Sequence, residues 1–228
     1  MGKTKVIVSL SGGMDSTTVL ARALSVNRDV QCVGFSYGSK HNAYENAAGI
    51  QIAQHYDVPF KLIDFSSVTA GFKSNLLKSG DAIPEGFYEG ENMRQTVVPG
   101  RNLIFISILM GIAWSNDAEE VWLGIHAGDH FIYPDCRPNF FKAMNEAVQL
   151  GSDGKVQLVA PFLDGNKTSI IKEGLELGVP YHLTRTCYKD QVFACGKCGS
   201  CQERLDAFHN NGIEDPIPYT TRELIPKT

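Results

Sequence analysis

The sequence predicts an α/β fold: a mostly parallel sheet with helices on both faces, carrying a small metal-held segment at its C-terminal end. Three observations predict it. β-rich runs alternate with helical periodicities from Val6 to about Leu177. The first strand-to-helix turn, Ser9-Leu10-Ser11-Gly12-Gly13-Met14-Asp15-Ser16, carries two adjacent glycines. Four of the six cysteines crowd into Cys187, Cys195, Cys198 and Cys201.

The chain justifies each element in turn. Val6-Ile7-Val8 is a strand, and Ser16 to Leu24 combines helix formers with an apolar face. Val30 to Phe35 returns as a strand. His41 to Tyr56 carries Ala43, Ala47, Ile50 and Ala53 at helical spacing, and Phe60 to Ile63 follows as a short strand. From Ser66 to Pro99 the pattern dissolves into Gly, Pro, Ser and acidic residues, an irregular excursion read either as a flap over the site or as a surface insertion without function. Regularity resumes with a buried helix at Asn102 to Trp114, a strand at Val121 to Ile125, and a helix at Asn139 to Leu150. A strand at Val156 to Val159 and a helix over roughly Asn166 to Leu177, stopped by Gly178 and Pro180, complete the alternation. Residues 1–181 read as the α/β nucleotide-binding part, and 182–228 as a C-terminal metal-binding segment packed on it in one structural unit. The polar, Pro-rich stretch from His209 to Thr228 has no assignment.

In a parallel sheet, ligands sit at the carboxyl ends of the strands, where Ser11 to Ser16 falls. Glycine permits φ > 0, and the following helix directs its free N–H groups and positive dipole end at the same space, which makes a phosphate cradle. Ser11, Ser16 and Thr17 add hydroxyls, while Asp15 either caps the helix or helps hold a magnesium ion that travels with the phosphates. The stretch lacks both the Gly-Lys-Ser/Thr ending of a Walker A loop and the Gly-x-Gly-x-x-Gly of a dinucleotide fingerprint.

Composition narrows the function further. With 228 residues the chain buries one sizeable core, and a formal net charge of −4 speaks against a general nucleic-acid binder and for a small-molecule substrate. The longest apolar run, Leu103 to Trp114, is too short to span a bilayer, and no cleavable apolar segment precedes the first strand, so a cytoplasmic protein is expected. The cysteine spacing favours a metal over disulfides: four thiolates so placed close a tetrahedral zinc site, which with four protein ligands is structural. Iron–sulfur ferredoxins share part of the spacing, but here the fourth cysteine lies upstream and no Cys-Pro follows.

Three clusters lie between the elements. Val98-Pro99-Gly100-Arg101-Asn102 places a guanidinium at a helix start, either as a clamp for phosphate or carboxylate or as a brace for the turn. Tyr133-Pro134-Asp135-Cys136-Arg137-Pro138 presents an aromatic ring, a carboxylate and a guanidinium suited to a planar heterocycle; the plainer reading pairs Asp135 with Arg137. Pro161 and Lys167 bracket a further strand-to-helix turn, with Lys167 placed either to reach phosphates or to lie in solvent.

Ser-Gly-Gly-Met-Asp-Ser resembles the pyrophosphate loop of the ATP pyrophosphatases, enzymes that cleave ATP to AMP and pyrophosphate. Together with Tyr37-Gly38 and His41, Val-Pro-Gly-Arg-Asn, Tyr-Pro-Asp-Cys-Arg-Pro, Pro161 with Lys167 and the four cysteines, in this order, the chain resembles the QueC family from Lys5 to about Leu205. The resemblance implies a Rossmann-like architecture of the adenine nucleotide alpha hydrolase kind and a homodimer with one structural zinc per chain. It also implies the ATP-dependent conversion of 7-carboxy-7-deazaguanine and ammonia to 7-cyano-7-deazaguanine, a precursor of queuosine. On this reading Leu10, Ser11, Gly12, Gly13, Met14, Asp15, Ser16, Thr17, Tyr37 and His41 meet ATP and its magnesium. Asn102, Tyr133, Asp135 and Arg137 meet the base, Arg101, Lys167 and Asp135 serve the chemistry, and Cys187, Cys195, Cys198 and Cys201 hold zinc.

Two segments depart from the family pattern. Tyr37-Gly38-Ser39-Lys40-His41 stands where Tyr-Gly-Gln-Arg-His is common, and Gly124 to Ile132 lacks a Tyr-Ser-Gly before Tyr133. Both are expected near the nucleotide and base pockets, where they would tune the substrate or stop the reaction at the amide. A tRNA-thiolating ligase and a zinc-ribbon module without catalysis are the other readings; the acidic balance opposes the first, and the loop at Ser11 to Ser16 would have no purpose in the second.

Overall fold

A computed structural model describes residues 2–88 and 90–225. Five strands, β1 (Lys5–Ser9), β2 (Asp29–Ser36), β3 (Phe60–Asp64), β4 (Glu120–Trp122) and β5 (Gln157–Val159), form one sheet in the order β3-β2-β1-β4-β5. Every pairing is parallel. The connections run through α1 (Met14–Ser25), α2 (Asn42–His55), the short α3 (Ser66–Thr69), α4 (Arg101–Ser115) and α5 (Pro138–Gly151); α6 (Lys167–Glu176) and α7 (Gly199–Asn210) follow β5. The strand order reverses between β1 and β4, and a crevice opens at the carboxyl ends of those two strands.

Side-chain alternation along β1 explains why both faces are covered. Ile7 packs with Val33, Val121, Ile106 and Leu109 under α4 and α5, whereas Val6 and Val8 pack with Leu20, Ile52 and Ile170 under α1, α2 and α6. β4 is shorter than its apolar run: Leu123 still donates to the Val159 carbonyl at 2.9 Å, after which the chain leaves the sheet beside the first turn of α1. Among the described residues no helix is long and apolar enough to cross a membrane.

The structure corrects three expectations. α4 is not fully buried; it sinks Ile106, Leu109 and Ala113 but leaves Leu103 and Trp114 more than 40% exposed. The excursion after β3 is not an idle surface insertion: Leu76, Leu77, Ile83, Tyr88 and Met93 are buried in the main core, and Tyr88 also lines the cavity at the strand ends. Lys40, expected at the nucleotide pocket, instead points its ammonium at the carbonyls of Asn75, Gly80 and Asp81 and pins that excursion.

The C-terminal stretch without assignment is held by the α7 residue Arg204, which is fully buried. Its five N–H donors are all used. Two meet the Asp215 carboxylate at 2.6 and 2.8 Å, two meet Thr184 and Thr186, and one meets the Tyr181 carbonyl. Residues 226–228 lie outside the described residues. Arg204→Met is expected to lower stability by about 3–5 kcal/mol, because it strands a buried Asp215 carboxylate. Urea denaturation checks this, and Asp215→Asn in the same chain should return part of the loss.

Candidate active site

The turn between β1 and α1 is shaped by one glycine. Gly12 has φ +86°, and a Cβ there would stand 2.4 Å from the Glu45 carbonyl oxygen of α2, so no other residue fits. Gly13, with φ −77°, caps α1 in an extended conformation, and α1 therefore starts at Met14, two residues ahead of the expected position. The Ser11 N–H donates to Ser16 Oγ at 3.2 Å, and the Gly13 N–H donates to Ser11 Oγ at 3.2 Å. The loop is thus preorganised by its own hydroxyls.

A cavity of about 210 Å³ opens above this loop. Leu10, Ser11, Gly13, Met14, Asp15 and Ser16 line it, as do Tyr37, His41, Arg101, Asn102, Tyr133 and Lys167. Four expected residues do not. Gly12 faces α2, and Thr17 is buried with its hydroxyl donating to the Gly13 carbonyl at 2.7 Å. Asp135 accepts the Asn102 N–H at 2.9 Å, satisfying a free donor in the first turn of α4, while Arg137 donates through Nε to the His130 carbonyl at 2.9 Å. The two therefore do not pair with each other either. Asn102 also donates to the Asp135 carbonyl and to Cys136 Sγ, which ties the start of α4 to the loop before α5.

The floor of the cavity carries a cluster of charges. Lys167 Nζ lies 3.2 Å from Asp15 Oδ2 and 2.7 Å from Glu203 Oε2. Lys167 is buried, not solvated; α6 is capped by Asn166 and Ser169, and this capping box aims the first residue of the helix inward. Burial alone would raise the Asp15 pKa, but Lys167 and His126 hold it well below the usual carboxylate range. Burial likewise opposes charge on Lys167, and Asp15 and Glu203 outweigh it, so the ammonium is retained.

His126 Nε2 stands 3.4 Å from Asp129 Oδ2 and 3.7 Å from Asp15 Oδ2, while its Nδ1 accepts the Gly128 N–H at 3.1 Å. Burial disfavours its charge, and the two carboxylates outweigh burial and raise its pKa to about 9. A doubly protonated ring has no lone pair on Nδ1, so protonation has to break the Gly128 contact. Tyr88 donates to Asp129 Oδ1 at 2.6 Å and closes the cluster. Among the described residues, Asp15 Oδ1 is buried without a hydrogen-bond partner.

The opposite wall is aromatic. The Arg101 guanidinium carbon lies 5.9 Å from the Tyr37 ring centre and 5.8 Å from the Tyr133 ring centre, and it makes no ion pair among the described residues. Burial raises the Tyr37 pKa to about 12, which keeps its phenol neutral. Phe35 and Phe105 stack beside them at 4.1 Å. Tyr133 hydrogen-bonds Thr96 at 2.9 Å and stands 3.3 Å from the Tyr188 hydroxyl. A wall of rings beside a guanidinium that has no ion pair among the described residues suits a flat, polar base beside an anion.

The four cysteines are buried, and their sulfurs all lie within 4.8 Å of one another. Backbone N–H groups of Lys189, Cys195, Lys197 and Cys198 point at Cys187 and Cys195 sulfurs from 3.2 to 3.4 Å, which stabilises thiolates. Cys195 and Cys201 sulfurs are 3.9 Å apart, far beyond a disulfide and close to the roughly 3.8 Å that tetrahedral ligation at about 2.3 Å implies. The cluster can hold a metal. Gly196, with φ +74°, lets the loop pass the Thr221 carbonyl, which a Cβ would strike at 1.8 Å.

Sequence reasoning missed that this segment builds the cavity. Arg185, Thr186, Tyr188 and Ser200 line it, and Glu203 reaches its floor. The only signal was proximity, since Tyr188 follows one cysteine and Glu203 comes two residues after another.

The profile of the family described as "Queuosine biosynthesis protein QueC" matches residues 5–212. The chain belongs to the QueC family. Curated relatives at this level include the 7-cyano-7-deazaguanine synthase 2 of Colwellia psychrerythraea, 45% identical over 95% of this chain and 99% of that one. The 7-cyano-7-deazaguanine synthase of Alteromonas mediterranea is 44% identical over 94% and 98% of the two chains. Among solved structures, this QueC-family chain is similar in fold to the U34-tRNA thiolase NcsA of Methanococcus maripaludis, with TM-score 0.51 and 15% identity over 92% of this chain and 67% of that one. A 4-thiouridine synthetase solved with RNA and bound ATP gives TM-score 0.52 and 17% identity over 83% of this chain and 44% of that one. These likenesses show a shared α/β fold and no more.

Proposed function

We propose that the chain is a cytoplasmic ATP-dependent ligase that converts 7-carboxy-7-deazaguanine and ammonia to 7-cyano-7-deazaguanine. The carrying observation is the convergence of the preorganised Ser11–Ser16 loop, Lys167 and Arg101 on one cavity at the point where the strand order reverses. The match to QueC-family enzymes over nearly the full chain supplies the substrate class.

The residues divide the work. A carboxylate does not accept ammonia until one of its oxygens becomes a good leaving group. The substrate carboxylate attacks the α-phosphorus, the bond to pyrophosphate breaks, and the loop N–H groups with Lys167 hold the departing charge. Arg101, between Tyr37 and Tyr133, faces the α-phosphate or the carboxylate and orients the base against the rings. Ammonia then forms the C–N bond as the C–O bond to AMP breaks, leaving the amide. A second adenylation on the amide oxygen, followed by loss of both amide protons and AMP, gives the nitrile. Asp15, with Oδ1 lacking a partner, is the residue that would hold the magnesium ion accompanying ATP, which screens phosphate charge. Cys187, Cys195, Cys198 and Cys201 fit zinc, which with four protein ligands supplies folding energy and no open coordination position.

The exposed apolar face of α4, with Leu103 and Trp114, is where a second copy of the chain would pack in a homodimer. Mass spectrometry of the products from 7-carboxy-7-deazaguanine, ammonium, magnesium and ATP tests the reading. Nitrile with two AMP per molecule is the expected result; amide as the end product limits the enzyme to the first half, and no AMP contradicts the reading.

A further inference from the structure

Hydrogen counting gives the row of hydroxyls in the aromatic wall a direction. Thr96 is fully buried, and its one hydroxyl hydrogen goes to the Met93 carbonyl at 2.6 Å, because a carbonyl oxygen only accepts. The 2.9 Å bond between Thr96 and Tyr133 therefore takes its hydrogen from Tyr133. With that hydrogen committed, the 3.3 Å contact between Tyr133 and Tyr188 takes its hydrogen from Tyr188. Phenols keep their hydrogen until about pH 10, so the row runs from Tyr188 to Tyr133 to Thr96 to Met93 under ordinary conditions. Among the described residues no other hydrogen bond reaches the Tyr188 hydroxyl.

Both tyrosines line the cavity, and Tyr188 is only half-buried. A ligand group that meets this end of the row finds oxygen lone pairs with the hydrogens already spent, so it has to be a donor. The terminal acceptor is also held in place. Tyr188 directly follows the metal-cluster residue Cys187, and its ring stands 5.3 Å from the His41 ring. A 7-carboxy-7-deazaguanine carries its carboxylate and 6-oxo group side by side as acceptors, which suit Arg101, and its 2-amino group at the far end of the six-membered ring as a donor. We propose that Tyr188 is a specificity-determining residue whose oxygen accepts a hydrogen bond from the 2-amino group of the base; the inference deepens the ligase reading and rests on it. A base with hydrogen at that position leaves the oxygen empty. One with a carbonyl there sets lone pair against lone pair unless the row of hydroxyls gives up a bond.

Tyr188→Phe keeps the ring beside His41 and removes the oxygen. The test compares 7-carboxy-7-deazaguanine with 7-carboxy-7-deazahypoxanthine, which lacks the 2-amino group, in carboxylate-dependent ATP–pyrophosphate exchange. In the unsubstituted protein the KM for the hypoxanthine form is expected to be about tenfold or more above that for the guanine form. In Tyr188→Phe the KM for the guanine form is expected to rise to that of the hypoxanthine form, with the KM for ATP unchanged. Thr96→Val serves if Tyr188→Phe does not fold: it frees the Tyr133 hydrogen, lets the row reverse, and is expected to narrow the gap between the two substrates. Equal KM values in the unsubstituted protein, or an undiminished gap in either folded variant, overturn the assignment. Absence of exchange with either substrate in the unsubstituted protein overturns the ligase reading instead.

Discussion

Lys167→Ala is expected to lower kcat by about a thousandfold and stability by about 3–5 kcal/mol. Both effects come from one position. Lys167 is the cation between Asp15 and Glu203, at 3.2 and 2.7 Å, in a buried cluster that also contains Asp129 and His126. Removing it leaves carboxylates without their counter-charge beside a loop that has to receive a polyphosphate. Pyrophosphate exchange reads the catalytic loss and urea denaturation the structural one. Adding Glu203→Gln should recover part of the stability and none of the activity, because it removes a stranded charge without restoring a cation at the phosphates. Equal recovery of both would mean that Lys167 acts only through the fold.

Loss of the metal ligands is expected to be as severe. Cys201→Ser should release the metal and loosen α7, whose first turn follows directly from Cys198. Structural zinc sites contribute on the order of 10 kcal/mol to the segments they organise. Arg204 and Glu203 lie on that helix, so the C-terminal stretch and the floor of the cavity should be lost together. Elemental analysis is expected to find one zinc per chain in the purified protein. A chelator should open residues 186–200 to proteolysis and abolish pyrophosphate exchange. Retained exchange after complete metal removal would separate the cluster from the site.

The alternation of β1, α1, β2, α2 and β3 was legible because each element keeps its own periodicity between Gly, Pro and Asp stops. The loop and the cysteine quartet were legible because their chemistry depends on short spacings along the chain. Asp135 and Arg137 misled for the opposite reason. Their residue types suit a base pocket, yet the first turn of α4 needed an acceptor and the His130 carbonyl needed a donor, and these nearer requirements took both side chains. Glu203, His126 and Tyr88 were invisible as a group because they come from three distant stretches that only the packed structure brings to Lys167 and Asp129. The docking of residues 211–225 depends on Arg204, whose five hydrogen bonds cannot be read from a polar stretch that follows it.

The most direct test of the central claim follows oxygen. With 18O in both positions of the 7-carboxy-7-deazaguanine carboxylate, adenylation of first the acid and then the amide sends one labelled oxygen into each AMP. The account predicts nitrile free of label and two AMP molecules per nitrile, each carrying one 18O. Label appearing in water or in ADP and phosphate, with AMP unlabelled, would contradict it.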